Sequence, residues 1–290
     1  PSGCFEQTSS TTYPNVLVMQ YLQASDQSSP EIELKATEYI AQGYQRLLSY
    51  EVTGGGFEWF GNDPAHRILT AYGLLEFYDM AQVFSVDPAV ISRTQDWLLA
   101  QQESDGRFRA SSDGIQEGAT NNFTDSDLRA TAYLAYALIE SGVTGSQVDQ
   151  AVAWVRGELS SDIDDPYTLG MAANMFLAHD ATSGDARALI DRLEATKSTE
   201  ETEEGPVYFW ESGSQSLYYG SGAAMNMEST ALILQAYIRA GLYPNTVNGV
   251  VGWLIGNKDQ FGNFSSTQAT ILTLRAFIEL LESSVEEIDA

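Results

Sequence analysis

Trp97-Leu98-Leu99, then Gly106-Arg107-Phe108, then Ala130-Thr131-Ala132-Tyr133 is the stretch that decides the fold, because its parts recur. Trp253 stands nine residues before Gly262, with Phe264 two further on, just as Trp97 stands before Gly106 and Phe108. Gly55 and Phe57 give the same ending after Leu47-Leu48. Each such ending leads to a segment rich in small and aromatic residues: Leu69-Thr70-Ala71-Tyr72, Ala130-Thr131-Ala132-Tyr133, Ser229-Thr230-Ala231-Leu232 and Ala269-Thr270-Ile271-Leu272. These segments are apolar nearly all round, as a helix in a crowded interior is. The segments between them are more polar and carry a stripe of Trp or Leu, as a helix with one outer face does.

Working outward, apolar residues at helical spacing predict eleven helices. They cover 5–23, 31–50, 65–82, 88–101, 125–141, 146–159, 166–179, 184–197, 226–240, 245–256 and 267–283. Pro30, Pro64, Pro88, Pro166 and Pro244 sit at or just before starts, where a missing N–H costs nothing. Alternating helix kinds that bury their faces against neighbours form a repeat architecture. The pairs are too few and too apolar for an open solenoid, so the expected fold is all-α, an α/α toroid of about six inner and six outer helices. The pattern itself supplies six of the inner kind and five of the outer. Two stretches break it. Residues 103–124 read as a long polar loop. Residues 198–224, opening on Glu200-Glu201-Thr202-Glu203-Glu204, read as solvated and mobile.

Composition narrows the function. Of 290 residues 43% are hydrophobic, and 40 acidic residues against 14 basic give a formal charge of −26. Such a surface repels nucleic acid and anionic lipid, attracts basic patches on other proteins, and in its plainest reading is only well solvated. No stretch approaches the ~20 apolar residues that span a bilayer, so no membrane insertion is expected. No secretory leader is expected from the opening residues, and Pro1 lies three residues before Cys4 of the motif below. A single domain over 1–290, a fragment of a larger chain, is therefore expected. Cys4 is the only cysteine and His66 and His179 the only histidines. That excludes internal disulfides and a Cys-rich zinc site; no metal and no cofactor are expected.

Chemistry concentrates in Gly3-Cys4-Phe5-Glu6-Gln7. A turn leading into a helix can bring the Cys4 sulfur onto the Gln7 side-chain carbonyl carbon. Attack expels ammonia and leaves an internal thioester, an activated acyl group that an amine or hydroxyl then opens. The positive end of a helix favours an anionic sulfur. The plain alternative is a buried Cys at a helix head, with Gln7 an ordinary first-turn residue.

The run Gly3-Cys4-Phe5-Glu6-Gln7 through Pro14-Asn15-Val16-Leu17-Val18-Met19-Gln20-Tyr21-Leu22 resembles the signature of the alpha-2-macroglobulin and complement family. That signature is Gly-Cys-Gly-Glu-Gln followed at the same spacing by Pro-Asn, a Val and Tyr-Leu. Gly55-Gly56-Phe57 to Thr70-Ala71-Tyr72, Met227-Glu228-Ser229-Thr230-Ala231 and Gly262-Asn263-Phe264-Ser265-Ser266-Thr267-Gln268 are similar as well, so the resemblance covers essentially the whole chain. It implies an α/α toroid, a Cys4–Gln7 thioester and attachment to target proteins, and not a turnover enzyme. Expected partners are lysine amines of targets, chiefly proteases, and neighbouring domains of a parent protein acting as a protease inhibitor. The expected location is extracellular, periplasmic or at the cell surface.

Two departures bear on mechanism. Phe5 replaces the Gly of vertebrate members, as larger residues do in bacterial ones, and is suited to shielding the bond. In some complement proteins a loop His attacks the thioester and favours hydroxyl targets; here Gln116 stands at that position, or the position is deleted. A neutral amide is neither nucleophile nor base, so direct attack by amines is expected. His66, at the start of a helix, is a candidate general base or an ordinary helix-end residue. His179 beside Asp180 reads as a favourable charge at a helix C-terminus.

Rival readings remain. Gln102-Glu103-Ser104-Asp105-Gly106-Arg107-Phe108 and Asp162-Ile163-Asp164-Asp165 resemble motifs of terpene-type cyclases, also toroids, although Asp165-Pro166 is equally a helix cap. Protein prenyltransferases share the toroid but need a zinc site. A scaffold or adhesion domain without a thioester is the non-reactive alternative.

Overall fold

A computed structural model describes residues 3–25, 27, 29–110, 126–217, 220–259 and 264–289, with the backbone alone for 285–289. Eleven helices lie among the described residues, and the fold is all-α apart from one hairpin. The helices are α1 (Phe5–Ala24), α2 (Pro30–Leu48), α3 (Arg67–Val83), α4 (Pro88–Leu99), α5 (Asp127–Glu140) and α6 (Ser146–Glu158). They continue with α7 (Pro166–His179), α8 (Gly184–Thr196), α9 (Ala223–Ala240), α10 (Pro244–Gly256) and α11 (Thr267–Asp289). Starts are chemically marked. Asp87, Ser126, Asp165 and Ser183 each accept a backbone N–H of the first turn of α4, α5, α7 and α8, which satisfies donors the helix itself leaves open.

The two helix kinds are plain in the burial pattern. Buried residues run unbroken from Ile68 to Phe77 in α3, Ala130 to Leu138 in α5, Tyr167 to Leu177 in α7 and Met227 to Tyr237 in α9. By contrast α2 buries only Ala36, Ile40, Gly43, Tyr44 and Leu47, and α4 only Val90, Thr94 and Leu98, one stripe each. The chain forms two compact units, Pro1–Trp154 and Val155–Ala290. In the first, α1 packs on α2 and α3, and α3 packs on α4 and α5. In the second, α7 packs on α8 and α9, and α9 packs on α10 and α11. Within its unit α3 thus contacts α5, and α7 contacts α9, each touching an outer helix as well.

A side-chain clamp explains why the sequence repeats as it does. The Thr70 hydroxyl accepts the Phe57 N–H at 2.8 Å and donates to the Phe57 carbonyl at 3.3 Å. Thr131 treats Phe108 the same way, at 2.9 and 3.2 Å. Thr230 accepts from Trp210 at 3.1 Å and Thr270 from Phe264 at 3.4 Å. In each case a fully or nearly fully buried aromatic has its backbone satisfied by the helix it packs against, as burial of peptide groups requires. The glycine two residues earlier is fixed by a close approach. A Cβ on Gly55 would lie 2.4 Å from the Arg93 carbonyl oxygen, and one on Gly106 would lie 2.6 Å from that of Gln150. Both also have positive φ, +104° and +97°, which side chains disfavour. Gly262 lies outside the described residues. Gln102 completes the Gly106 turn, donating to the Gly106 and Gln147 carbonyls, each at 2.8 Å.

One expectation needs correction. Residues 198–209 are not a solvated loop but an antiparallel hairpin, β1 (Ser198–Thr202) and β2 (Gly205–Phe209). The acidic side chains of β1 are exposed, so their charge does not oppose pairing. Behind them Phe209 stacks on Trp253 at 4.8 Å. Trp210 is completely buried, its indole donating to the Leu193 carbonyl at 2.9 Å. Smaller differences lie at helix ends: α9 begins at Ala223 and α11 runs on to Asp289.

If the clamp carries the repeat, Thr70→Val should lower the unfolding free energy by ~1–3 kcal/mol, the cost of a buried unpaired N–H at constant shape. Thr70→Ser should cost much less. Equal stability of the valine variant and the wild type in denaturant titrations would show that the clamp contributes nothing.

Candidate functional site

The first turn of α1 is built from behind. Cys4 is the N-cap, with extended backbone (φ −89°, ψ −179°), and its carbonyl accepts the Thr8 N–H at 3.0 Å. Phe5 is completely buried and its N–H donates to the Trp59 carbonyl at 2.8 Å. Its ring meets Phe57 edge-on at 5.4 Å and lies 6.0 Å from Tyr50 and 6.4 Å from Tyr72. The side chain that replaces glycine here therefore points into the core and anchors the turn. Cys4 is half-buried and Gln7 is exposed, so the two candidate reactive side chains lie on the outer side of the turn that Phe5 fixes.

Gln7 folds back on Cys4. Its Oε1 accepts the Cys4 N–H at 3.2 Å, one half of a capping box. Gly3 makes room: a Cβ there would sit 2.3 Å from Oε1 and 3.2 Å from Cδ, and its φ is +149°. The Gly3 carbonyl accepts the Tyr50 hydroxyl at 2.5 Å and Arg46 Nη2 at 3.3 Å, and Arg46 Nε donates to the Tyr50 oxygen at 2.7 Å.

Trp59 links the turn to His66. Its carbonyl holds Phe5, its indole bonds Glu6, and its ring lies 4.7 Å from the His66 imidazole. Burial raises the Glu6 pKa, the Trp59 bond opposing. His66 is the N-cap of α3, its Nδ1 accepting the Leu69 N–H at 3.3 Å. Nδ1 is thereby the unprotonated nitrogen and Nε2 carries the proton, with no hydrogen-bond partner among the described residues. Burial, aided by Arg67, lowers the His66 pKa to about 4. The imidazole is neutral at pH 7 and its lone pair is committed to the helix. Gln116 lies outside the described residues.

The cyclase-like aspartates do ordinary work. Asp162 and Asp164 are exposed. Asp165 caps α7 through Thr168 and accepts the Ser212 and Ser214 hydroxyls at 2.6 and 2.9 Å. No cluster of three or more His, Cys, Asp or Glu suited to a metal occurs among the described residues. None of their helices is long and apolar enough to cross a membrane.

Comparison with known proteins settles the kinship. The family model of the A-macroglobulin TED domain, the thioester domain, matches residues 1–280. The chain belongs to this family. Similar proteins include ovostatin of Gallus gallus, 27% identical over 289 residues, covering 95% of this chain and 19% of that protein. Thioester-containing protein 1 allele S1 of Anopheles gambiae is 28% identical over 294 residues, covering 97% and 20%. The chain thus spans about a fifth of the length of the curated relatives it matches. Sequence reading of the thioester domain singled out Cys4 and Gln7 as candidates but not the neighbouring Arg46, Tyr50 or Trp59, which no local pattern marks.

Behind α1 the thioester domain carries a buried acid. Burial raises the Glu76 pKa to about 8, the Ser9 hydroxyl opposing and Asp79 adding to the rise. Above pH 4.5 the unfolded chain ionises at this position while the folded one stays protonated, so Glu76 costs stability progressively up to about pH 8. His66 has the opposite slope, its loss falling between pH 6.5 and 4. Glu76→Gln should therefore gain stability over the wild type as pH rises from 5 to 8, by on the order of a few kcal/mol. Unfolding curves of both proteins across pH measure this; parallel curves would show that Glu76 ionises normally.

Proposed function

We propose that the domain attaches covalently to target proteins through an internal thioester between Cys4 and Gln7. The Cys4 thiolate adds to Cδ of Gln7, negative charge gathers on Oε1, and ammonia leaves with the proton it needs. A target amine then adds to the same carbon, the sulfur departs as thiolate, and the amine's proton is released. Gln7 is left as an amide of the target and Cys4 as a free thiol. The transfer happens once per molecule, so the domain is a reagent and not a turnover enzyme.

The observation that carries this reading is the Gln7 carboxamide turned back onto the Cys4 backbone, in space that only a glycine at position 3 leaves open. Family membership supports it, and one relative is named for containing a thioester. The reading extends to lysine amines as nucleophiles, since Gln116 offers no imidazole relay toward hydroxyls. It places residues 1–290 as one domain of a larger extracellular, periplasmic or cell-surface protein, with proteases as targets, in the manner of a protease inhibitor.

Intact mass of freshly purified protein, with and without methylamine, tests this. The expected mass is short by one ammonia and rises by one methylamine as a thiol appears, with glycerol reacting more slowly. Gln7 converted to a glutamate would also support it, as the product of hydrolysis. The full encoded mass, unaltered by methylamine, would overturn the reading in favour of a non-reactive scaffold. Gly3→Ala should abolish ammonia loss while the protein stays folded, because its methyl occupies the place of the carboxamide oxygen. Retained ammonia loss in that variant would disprove the packing argument.

A further inference from the structure

The Gly3 carbonyl and the Cys4 N–H are the two ends of one peptide group. At the carbonyl end sit the Tyr50 hydroxyl, at 2.5 Å, and Arg46 Nη2, at 3.3 Å. Arg46 Nε donates to the Tyr50 oxygen at 2.7 Å; the Gly3 carbonyl can only accept, so the phenolic proton points to it, while Thr8 Oγ1, 3.3 Å from the Tyr50 oxygen, has its own proton on the Cys4 carbonyl at 3.0 Å. At the other end the N–H donates to Gln7 Oε1 at 3.2 Å. Hydrogen bonds in series polarise one another, and a charged donor at the head strengthens each that follows. This series begins on a guanidinium and ends on the one atom where charge builds up when a nucleophile adds to Cδ.

From this we propose that the Gly3–Cys4 peptide is the oxyanion-stabilising donor of the thioester chemistry, with Arg46 and Tyr50 as positioning residues that polarise it. The inference rests on the Cys4–Gln7 reading above. Oε1 stays on Cδ in the amide, in the thioester and in the tetrahedral species between them, so one donor serves both formation and opening. The 3.2 Å contact belongs to the neutral carboxamide and shortens as the oxygen gains charge. The two helpers are well held. Tyr50 is buried, and the Arg46 guanidinium lies over its ring at 5.2 Å from the centroid. Both follow from the end of α2: Arg46 is in its last turn and Tyr50 lies just past its C-cap, Ser49.

A merely structural role for the pair would lower stability and nothing else, so the test reads polarisation directly. In the full chain, the amide proton shift of Cys4 is measured by NMR in the wild type, Tyr50→Phe, Arg46→Gln and Arg46→Lys. The thioester carbonyl stretch is measured by difference infrared with 13C-labelled glutamine, and methylamine opening by mass. Expected are an upfield amide shift, a higher stretching frequency and opening slowed by roughly five- to tenfold in Tyr50→Phe and Arg46→Gln, a fraction of the loss on deleting a whole oxyanion donor. Arg46→Lys, which keeps the charge, should fall between those variants and the wild type. An unmoved Cys4 amide in both Tyr50→Phe and Arg46→Gln overturns the proposal, whatever their stability. A wild type that never loses ammonia would instead sink the thioester reading, while the amide shift would still decide whether Arg46 and Tyr50 polarise the peptide.

Discussion

A helix end that turns its first side chains outward has to be fixed from the other side, and in this domain Phe5 does the fixing. Its complete burial among Tyr50, Phe57 and Tyr72, together with the bond from its N–H to Trp59, sets the direction of α1. Alternation of faces over one turn then leaves Cys4 half-buried and Gln7 exposed. A flexible glycine next to Cys4 would provide no such anchor, and the cost of holding the turn would fall on contacts elsewhere. Phe57 is itself held by Thr70, so the clamp that repeats along the chain also supports the turn.

That repetition explains how a long chain with little strand structure keeps its helices in order. Helices α3, α5, α9 and α11 each offer a threonine, and the threonine captures the backbone N–H of an aromatic from the preceding connection. The aromatic fills the core while its peptide group, which no helix or strand satisfies, is paired by a side chain. At Phe57 and Phe108, glycine two residues earlier brings the connection against an outer helix. Local sequence, buried volume and hydrogen bonding thus agree at these two repeats, which is what a funnelled landscape requires.

Legibility of the sequence followed from the range of each interaction. Helices were readable because periodicity, prolines at starts and acidic or hydroxyl caps are signals within a few residues; Pro88 behind Asp87 and Pro166 behind Asp165 are examples. Cys4 and Gln7 stood out as candidates because the chemistry proposed for them depends on residues adjacent in sequence. The hairpin at 198–209 was missed because its acidic residues outweighed the alternating Val207 and Phe209, whose partial burial depends on α10 far along the chain, where Phe209 stacks on Trp253. Tyr50 and Arg46 were invisible because their partner, the Gly3 carbonyl, is more than forty residues away and has no side chain to leave a mark. Trp210 was overlooked for the same reason, since it takes the clamp position without the glycine that marks Phe57 and Phe108.

His66 shows how position and role can part. It does stand next to the residue that holds the turn, as a start-of-helix histidine would be placed to do, yet capping takes its lone pair and burial keeps it neutral. A hydroxyl nucleophile has to lose its proton as it attacks, so it gains most from a base beside the bond. An amine that arrives unprotonated has a free lone pair and can lose its proton after adding. Under the proposed thioester chemistry, a site whose nearby imidazole is spent on a helix N-terminus would discriminate by omission: it would do nothing to activate oxygen nucleophiles, and would leave nitrogen nucleophiles as reactive as they already are.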